Sequence, residues 1–443
     1  RLNEDINEDW ISDKTRYVYD GLNKRRLDKP YVRRDGKQKP VNWNAAFAAI
    51  KDGLSGLQGE NIAALAGDLQ DVESMFALQG LQTALGSDQP ECRLNGEALD
   101  PGLRANYVMN STIAGIEEAD ELLIIGSNPR LEAAIINARI LKATRHNGLK
   151  VMNLGPERDF TYPAEQLGDD LSILKNIAAG EGDVFRRLNE AARPMILIGQ
   201  GALARSDGQA IFNAAVKLAH ATGVVCNEWN GFNVLHTAAS RVGALDIGFA
   251  TDGGMPAITE KAKAGDIKAV FLLGVDDIDL SAFTGALRIY IGTHGDIGAH
   301  SADIILPSAT YTEKAGLYVN TEGRVQQAPR AIYPPGDARE DWTIFRALSD
   351  VLGCTLPYNS LPELRAMLRK DYPHFEAIDE IVMADGTPKA VGRAAAISDA
   401  DTPLPIETFY LTNPIARAAE TMLACVAEIL NAGVDEKATG THG

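Results

Sequence analysis

The sequence lacks closely spaced cysteines, long apolar runs and an excess of positive charge. No C-x-x-C pair occurs, so the chain itself carries no sequence evidence for an iron–sulfur or zinc site. No apolar run approaches the roughly 20 residues that span a bilayer. A formal charge of −17 argues against nucleic acid or an anionic membrane surface as partner. The cysteines are expected to be small buried residues in a reducing compartment, and they are Cys92, Cys226, Cys354 and Cys425.

The composition is that of an ordinary globular protein that can bury a sizeable core. Of the 443 residues, 45% are hydrophobic and 23% are charged, and the length suggests about two to four domains. Short apolar runs that end in glycine recur, each followed by a helical pattern. Continuous apolar strands that alternate with helices predict an α/β fold with doubly wound parallel sheets. The predicted strands are 62–67, 121–126, 150–154, 194–199, 268–274, 287–292 and 302–306.

The two ends of the chain differ from this pattern. Residues 1–39 are highly charged and are expected to form an arm that lies over another domain, and a start of this kind suggests a fragment of a longer polypeptide. Residues 376–405 have the composition of a loop region. Residues 415–430 predict one amphipathic helix, and 435–443 are expected to be disordered.

One glycine-rich motif resembles a dinucleotide-binding loop. Residues 199–204 read G-x-G-x-x-A after a predicted strand, and such glycines let a diphosphate approach the backbone at the start of a helix. A carboxylate roughly 20 residues further on would bind the ribose, and Glu228 lies near that spacing. Glu228 is crowded by Gly231, however, and a tight turn explains this segment equally well.

Two other clusters carry ionisable side chains. A metal on a loop is one interpretation of His294, Asp296, His300 and Asp303; the alternative is a solvated turn with an Asp that caps a strand. Glu313 and Lys314 have the chemistry of an acid–base pair, but adjacent opposite charges are usually a solvated surface feature. No G-x-S-x-G motif for a nucleophilic serine occurs.

The stretch 302–327, ADIILPSATYTEKAGLYVNTEGRVQQ, and several other segments resemble a known superfamily in collinear order. The segments are WISDKTR (10–16), YDGL (19–22), STIAGIEEAD (111–120), GSNPR (126–130), YTEK (311–314), YVNTEGR (318–324) and PPGDAREDW (334–342). Together they resemble the molybdopterin oxidoreductase superfamily. Within it they are most similar to the large iron–sulfur subunits (75 kDa type) of respiratory complex I, the NADH:quinone oxidoreductase.

The resemblance implies a domain plan. Two interleaved doubly wound, Rossmann-like domains are expected, the first built from 42–110 and 228–353 and the second inserted as 111–227. Residues 1–41 would then be an N-terminal arm, the remnant of a cluster-binding entry domain, and 354–443 a C-terminal extension. Because α/β folds bind ligands beyond the strand ends, a vestigial cofactor crevice is expected at Gly126, Asn128, Gly199, Gly201 and Gly274.

Two departures from the superfamily pattern imply a region without its cofactor. Ser12 stands where cluster-bearing relatives place their last cluster cysteine, and a hydroxyl is a poor iron ligand. The molybdenum ligand would fall near 92–96, where Cys92 alone is chemically suitable. The resemblance therefore implies a scaffold with no catalytic, cofactor-binding or metal-ligating residue of its own. The [2Fe–2S] and [4Fe–4S] clusters of the parent subunit would lie upstream of Arg1.

The resemblance also implies partners and a location. The expected role is in respiratory electron transport from NADH to quinone, in contact with the other hydrophilic subunits of complex I, including the NADH-binding flavoprotein. The expected location is the peripheral arm, on the cytoplasmic face of a bacterial inner membrane or the matrix face of the mitochondrial one, without membrane insertion. Two alternatives stay open: an active molybdopterin-dependent oxidoreductase with Cys92 as the metal ligand, and a nucleotide-binding dehydrogenase that uses 199–204.

Overall fold

The computed structural model describes residues 2–392 and 396–430, and it is an α/β structure built on two main sheets. The prediction for 435–443 falls outside the described residues. The strands are β1 (Tyr31–Arg34), β2 (Lys37–Pro40), β3 (Ile62–Ala66), β4 (Pro90–Glu91), β5 (Glu121–Ile125), β6 (Lys150–Leu154), β7 (Glu165–Gly168), β8 (Pro194–Ile198), β9 (Val225–Cys226), β10 (Trp229–Asn230), β11 (Phe232–Val234), β12 (Ala269–Leu273), β13 (Leu287–Gly292), β14 (Ile304–Pro307), β15 (Gly316–Val319) and β16 (Val325–Ala328).

The helices connect these strands and cover both main sheets. They are α1 (Asp13–Tyr17), α2 (Trp43–Leu54), α3 (Val72–Ala84), α4 (Pro129–Glu132), α5 (Ala134–His146), α6 (Leu174–Ile177), α7 (Gly182–Glu190), α8 (Gln200–Leu203), α9 (Gly208–Ala221), α10 (Arg241–Asp246), α11 (Gly254–Ala264), α12 (Ile297–Ser301), α13 (Asp341–Leu352), α14 (Leu361–Asp371), α15 (Pro414–Ala418) and α16 (Glu420–Cys425). No helix among the described residues is long and apolar enough to cross a membrane.

The larger sheet has seven strands in the order β2-β1-β14-β13-β12-β3-β4. Strands β14, β13, β12, β3 and β4 are parallel, and the hairpin β1–β2 from the N-terminal arm adds an antiparallel edge. Strands β3 and β12 are buried along their whole length, because helices cover both faces. Side chains of α2, α3 and α13 pack on one face, and α11 packs on the other.

The second sheet has five parallel strands in the order β11-β8-β5-β6-β7. Its central strands β5 and β8 are fully buried between α5 on one face and α9 on the other. Strand β11, which pairs with β8, lies beyond residue 227, where the sequence places the end of the insertion. The two sheets thus alternate along the chain, since the larger one takes strands from both sides of the smaller one.

Most of the predicted strands are confirmed with their bounds shifted by one or two residues, because continuous apolar runs are typical of parallel strands buried on both faces. The single helix predicted for 415–430 is wrong. Ala419 has extended backbone angles, which end α15 and allow α16 to begin at Glu420 in a new direction. The loop prediction for 376–405 holds for its described residues, which beyond Glu376 contain no helix or strand.

Gly67 lies where the chain leaves β3 beside the end of β12. Its backbone N–H donates to the carbonyl oxygen of Leu273, at 2.9 Å. A Cβ at this position would collide with the backbone carbonyl of Gly274, so the two strand ends approach each other more closely than a side chain allows.

We expect Gly67→Ala to lower the free energy of unfolding by about 1–3 kcal/mol, because backbone atoms would have to move apart. The matched control is Gly285→Ala, where an added Cβ would meet nothing within 4 Å and the change should stay within about 0.5 kcal/mol. Urea unfolding of both variants measures the difference. Equal stabilities would contradict the close approach of the two strand ends.

Candidate functional site

The first crevice lies beyond the carboxyl ends of β3, β12, β13 and β14, the edge at which α/β sheets bind ligands. A cavity of about 30 Å³ lies at its centre, and a more open pocket of about 570 Å³ adjoins it at Asp276, Asp277 and Arg417. Gly274 has a φ of +61°, and the Gln70 side chain fills the space beside it. Pro414 and Ile415 close the central cavity from the C-terminal extension. The chain's own side chains therefore fill the centre of this crevice.

The second crevice lies beyond the carboxyl ends of β5 and β8 and contains the other four predicted crevice residues. Gly126 has a φ of +55°, and a Cβ on it would lie 2.6 Å from the Cβ of Ala202. Gly199 approaches Ser127 in the same way, so the glycines bring two loops of the protein into contact. Asn128 is buried, and its Oδ1 has no partner. These glycines serve loop–loop packing.

Residues 396–425 cross both crevices and are called the strap from here on. A Cβ on Gly201 would lie 2.8 Å from the carbonyl oxygen of Pro403 and 3.2 Å from Cγ2 of Thr402. The strap thus covers the second glycine of the G-x-G-x-x-A motif. Three buried side-chain atoms close to this contact have no hydrogen-bond partner: Oδ1 of Asn128, Oε1 of Gln200 and Oγ1 of Thr402.

Glu228 does not lie beside the glycine motif, as the ribose-binding carboxylate of a dehydrogenase would. Glu228 is exposed in the two-residue turn between β9 and β10. The indole of Trp229, next to it, donates to the carbonyl of Pro194 at the beginning of β8, at 2.7 Å, whereas Gly199 follows the end of that strand. The carboxylate and the glycine motif are therefore at opposite edges of the sheet. The tight-turn interpretation is confirmed.

The ionisable side chains of residues 293–303 do not form a ligand group, since the structure brings no three or more His, Cys, Asp or Glu side chains together among the residues it describes. His294 is buried, its Nε2 contacts the carbonyl of Gly21, and burial lowers its pKa to about 4. Asp296 caps α12 and pairs with Arg417. Asp303 accepts from the backbone N–H of Arg288, and His300 is exposed.

Glu313 and Lys314 are both buried, and the expectation of a solvated surface pair is wrong. They have separate partners. Glu313 accepts two hydrogen bonds from the Arg26 guanidinium, one of them 2.6 Å long, and caps the backbone N–H of Thr310. Lys314 lies between two carboxylates, with its Nζ 2.5 Å from Asp71 and 2.5 Å from Asp341.

Lys314 and Asp71 stabilise each other's charged forms. Burial alone would lower the pKa of Lys314, but the charges of Asp341 and Asp71 raise it well above its ordinary value. Burial opposes ionisation of Asp71 as well, and the charge and hydrogen bond of Lys314 outweigh it and lower the pKa of Asp71. Ser74 donates to Asp71 and Asp341 and completes the cluster. This geometry stabilises structure and leaves no free acid or base.

The first crevice has an acidic rim. Burial raises the pKa of Asp68 to about 6 and that of Asp276 to about 7, and it raises the pKa of Asp277 as well. Arg417 of the strap pairs with Asp277, at 2.6 Å, and with Asp296, at 2.7 Å. An anionic pterin dinucleotide would find Arg417 already paired with two carboxylates of the chain, so the residues present do not fit that cofactor.

The two positions that the resemblance assigns to metal binding have other surroundings in this structure. Cys92 is 1% exposed within the hydrophobic core, and burial raises the pKa of its thiol to about 12. Ser12 caps α1, with its Oγ accepting from the backbone N–H of Thr15 at 3.2 Å. Residues 1–20 contain no cysteine.

Sequence reasoning missed the strap and the ion pairs of Arg417. The residues 413–417, NPIAR, carry the signal of a helix start, since Asn413 caps α15 and Pro414 is its first residue. Nothing in that signal indicates that Arg417 contacts carboxylates more than a hundred residues earlier. The contact of Gln70 with Gly274 was also missed, because no local pattern indicates a contact between residues so far apart in sequence.

We expect Lys314→Met to lower the free energy of unfolding by about 3–5 kcal/mol, because it leaves two carboxylates buried without their cation. Lys263→Met, which removes a lysine from an exposed pair with Glu260, is the matched control and should change it by less than about 1 kcal/mol. Denaturant unfolding measures both. Adding Asp71→Asn and Asp341→Asn to Lys314→Met should restore part of the loss, and no restoration would contradict this account.

Three protein-family models match the chain. The model described as molybdopterin oxidoreductase matches residues 26–351. The model for the 4Fe-4S domain of NADH-ubiquinone oxidoreductase NDSU1/NuoG-like proteins matches 1–20, and the model for the C-terminal region of the NADH-ubiquinone oxidoreductase G subunit matches 381–425.

The chain is similar over 96% of its length to curated subunits of NADH dehydrogenases. It is 40% identical to the NADH-quinone oxidoreductase G subunit of Rickettsia bellii over 432 residues, which cover 61% of that protein. It is 41% identical to the mitochondrial NADH dehydrogenase [ubiquinone] iron-sulfur protein 1 of Solanum tuberosum, of which it covers 57%. The chain thus spans about three fifths of the length of these relatives.

Two solved structures share the fold at low sequence identity. Acetylene hydratase from Pelobacter acetylenicus matches with a TM-score of 0.61 and 13% identity, over 80% of this chain and 65% of the other. The formyltransferase/hydrolase complex FhcABCD from Methylorubrum extorquens matches with a TM-score of 0.53 and 19% identity, over 73% of this chain and 98% of the other. The predicted fold class is therefore confirmed.

Proposed function

The chain belongs to the molybdopterin oxidoreductase family, and from that premise we propose that it acts without the family's cofactor, as a structural and docking region of the large iron–sulfur subunit of complex I. The complex would carry electrons from NADH to quinone, and this region would hold neighbouring subunits in place. The similarity to the Rickettsia bellii protein over 96% of the chain carries the proposal.

The way in which the strap occupies the two crevices supports the scaffold role. The strap covers Gly201, and its residues Pro414 and Ile415 line the cavity of about 30 Å³ at the centre of the first crevice. The alternative of an active molybdenum enzyme would need Cys92 as the metal ligand, and Cys92 is 1% exposed and packed within the hydrophobic core. No observation on the described residues favours that second function.

The finer points of the proposal concern the domain plan and the surroundings. We place the first α/β domain at 42–110 and 228–353 and the second at 111–227, with β11 added to the second as the continuation of its sheet. Residues 1–41 are the arm and 354–443 the C-terminal extension.

The parent subunit would carry [2Fe–2S] and [4Fe–4S] clusters upstream of Arg1. Partners would be the other hydrophilic subunits, including the NADH-binding flavoprotein. The location would be the peripheral arm, on the bacterial cytoplasmic or mitochondrial matrix face.

Metal analysis tests the proposed lack of cofactor. We expect the chain, purified from a host that synthesises the molybdenum cofactor, to contain far less than one molybdenum atom per molecule. Cys92→Ala should leave the metal content unchanged. Stoichiometric molybdenum in the unmodified chain that disappears in the Cys92→Ala variant would overturn the scaffold proposal in favour of the active enzyme.

A chimaera tests the docking role. This chain would replace the matching region of the large iron–sulfur subunit in a bacterial complex I, with deletion of that region as the control. We expect the chimaera, unlike the deletion, to assemble on native gels and to restore NADH–quinone activity in membranes. A chimaera that is folded and abundant, yet absent from any assembled complex, would contradict the proposal.

A further inference from the structure

The strap is anchored at its beginning on the second sheet. Asp207, just before α9, accepts hydrogen bonds from the backbone N–H and the hydroxyl of Ser398, each 2.7 Å long. Arg205 pairs with Asp207 and donates to the carbonyl oxygen of Ser398 at 2.9 Å. The strap then passes over Gly201. These contacts bind the strap to the loop between β8 and α9.

In its middle the strap inserts α15 into the first crevice. Ile415 is 3% exposed and lines the remaining cavity together with Pro414. Arg417, two residues further along the same short helix, reaches Asp277 and Asp296 on the acidic rim. The Ile415 side chain thus fills the centre of the crevice while the Arg417 guanidinium pairs with carboxylates at its rim. The positive charge of the strap complements the negative charge of the rim.

At its end the strap holds the N-terminal arm. Asp20 accepts from the backbone N–H of Thr421 at 3.0 Å and from its hydroxyl at 3.1 Å. Lys24 pairs with Glu420 at 2.8 Å. Gly21 lies directly under the carbonyl of Ile415, where a Cβ would not fit.

Arm and strap also share a small apolar cluster that is separate from the cores of the two sheets. Its buried members are Val18, Ile415, Ala416, Ala419 and Met422. Lys14 adds a hydrogen bond to Thr412 and lies 4.7 Å from the centre of the Phe409 ring. The same short segment therefore faces the crevice on one side and the arm on the other.

We propose that the strap is a ligand in cis for the acidic first crevice, and that the seating of Arg417 between Asp277 and Asp296 clamps the arm onto the body of the protein. The crevice recognises a helix start that carries an apolar side chain and a cation two residues apart. Residues 18–24 of the arm and the strap are then one cooperative unit that is released together, while the two sheets, including β1 and β2, stay folded. The clamp does not depend on the proposed function, since it is a property of the isolated chain.

Amide hydrogen exchange of the full chain tests the clamp. In Arg417→Gln, we expect amides of both the arm (18–24) and the strap (414–425) to exchange faster by on the order of tenfold, because a charge-assisted contact is lost. Amides of β12 and β13 should keep their rates, which also shows that the variant is folded. The matched control is Arg186→Gln, since Arg186 likewise bridges two carboxylates, Asp183 and Glu190, but on the surface.

The reciprocal variant acts from the arm side. Asp20→Ala removes the acceptor for Thr421, and coupling between two segments is the same in either direction. We therefore expect it, too, to speed exchange in residues 414–417, although the strap residue that donates to Asp20 is Thr421. Faster exchange in only the mutated segment, in either variant, would overturn the clamp. So would equal acceleration in β12 and β13, which would assign Arg417 to global stability.

Discussion

The buried Lys314 between Asp71 and Asp341 is the interaction on which the rest of the arrangement depends. Asp71 caps α3 after β3, Lys314 precedes the hairpin of β15 and β16, and Asp341 begins α13. One ammonium group therefore fixes three segments that are far apart in sequence. Because two carboxylates cannot remain buried without it, the three segments keep one relative position. That position sets the floor of the first crevice, to which Lys314 also contributes.

Other ion pairs lie around this floor and neutralise buried or half-buried charges. Glu313 meets Arg26 of the arm, and Arg241 meets Glu97 in the interior. The rim carboxylates meet Arg417 of the strap. Asp277 and Asp296, at the rim of this crevice, thus have a cation of the chain itself as their partner.

Features that depend on neighbouring residues could be predicted from the sequence, whereas features that depend on contacts between distant segments could not. Strands such as β3 and β12 could be predicted because both faces are buried and every residue is apolar. The turn around Glu228 could be predicted from its neighbours. The burial of Glu313 and Lys314 could not, because their partners Arg26, Asp71 and Asp341 lie in other segments. The break at Ala419 depends on the arm beneath it, and no periodicity shows that contact.

The pairing of arm and strap has a consequence for the order in which the molecule forms. Lys24 and Glu420 are separated by 396 positions, and Asp20 and Thr421 by 401. At synthesis rates of about 5–20 residues per second, roughly 20–80 s pass between the emergence of the arm and that of its partner. Within this chain the arm is thus synthesised early, and its contacts with the strap form late. During that interval the face of the arm that will contact the strap stays uncovered.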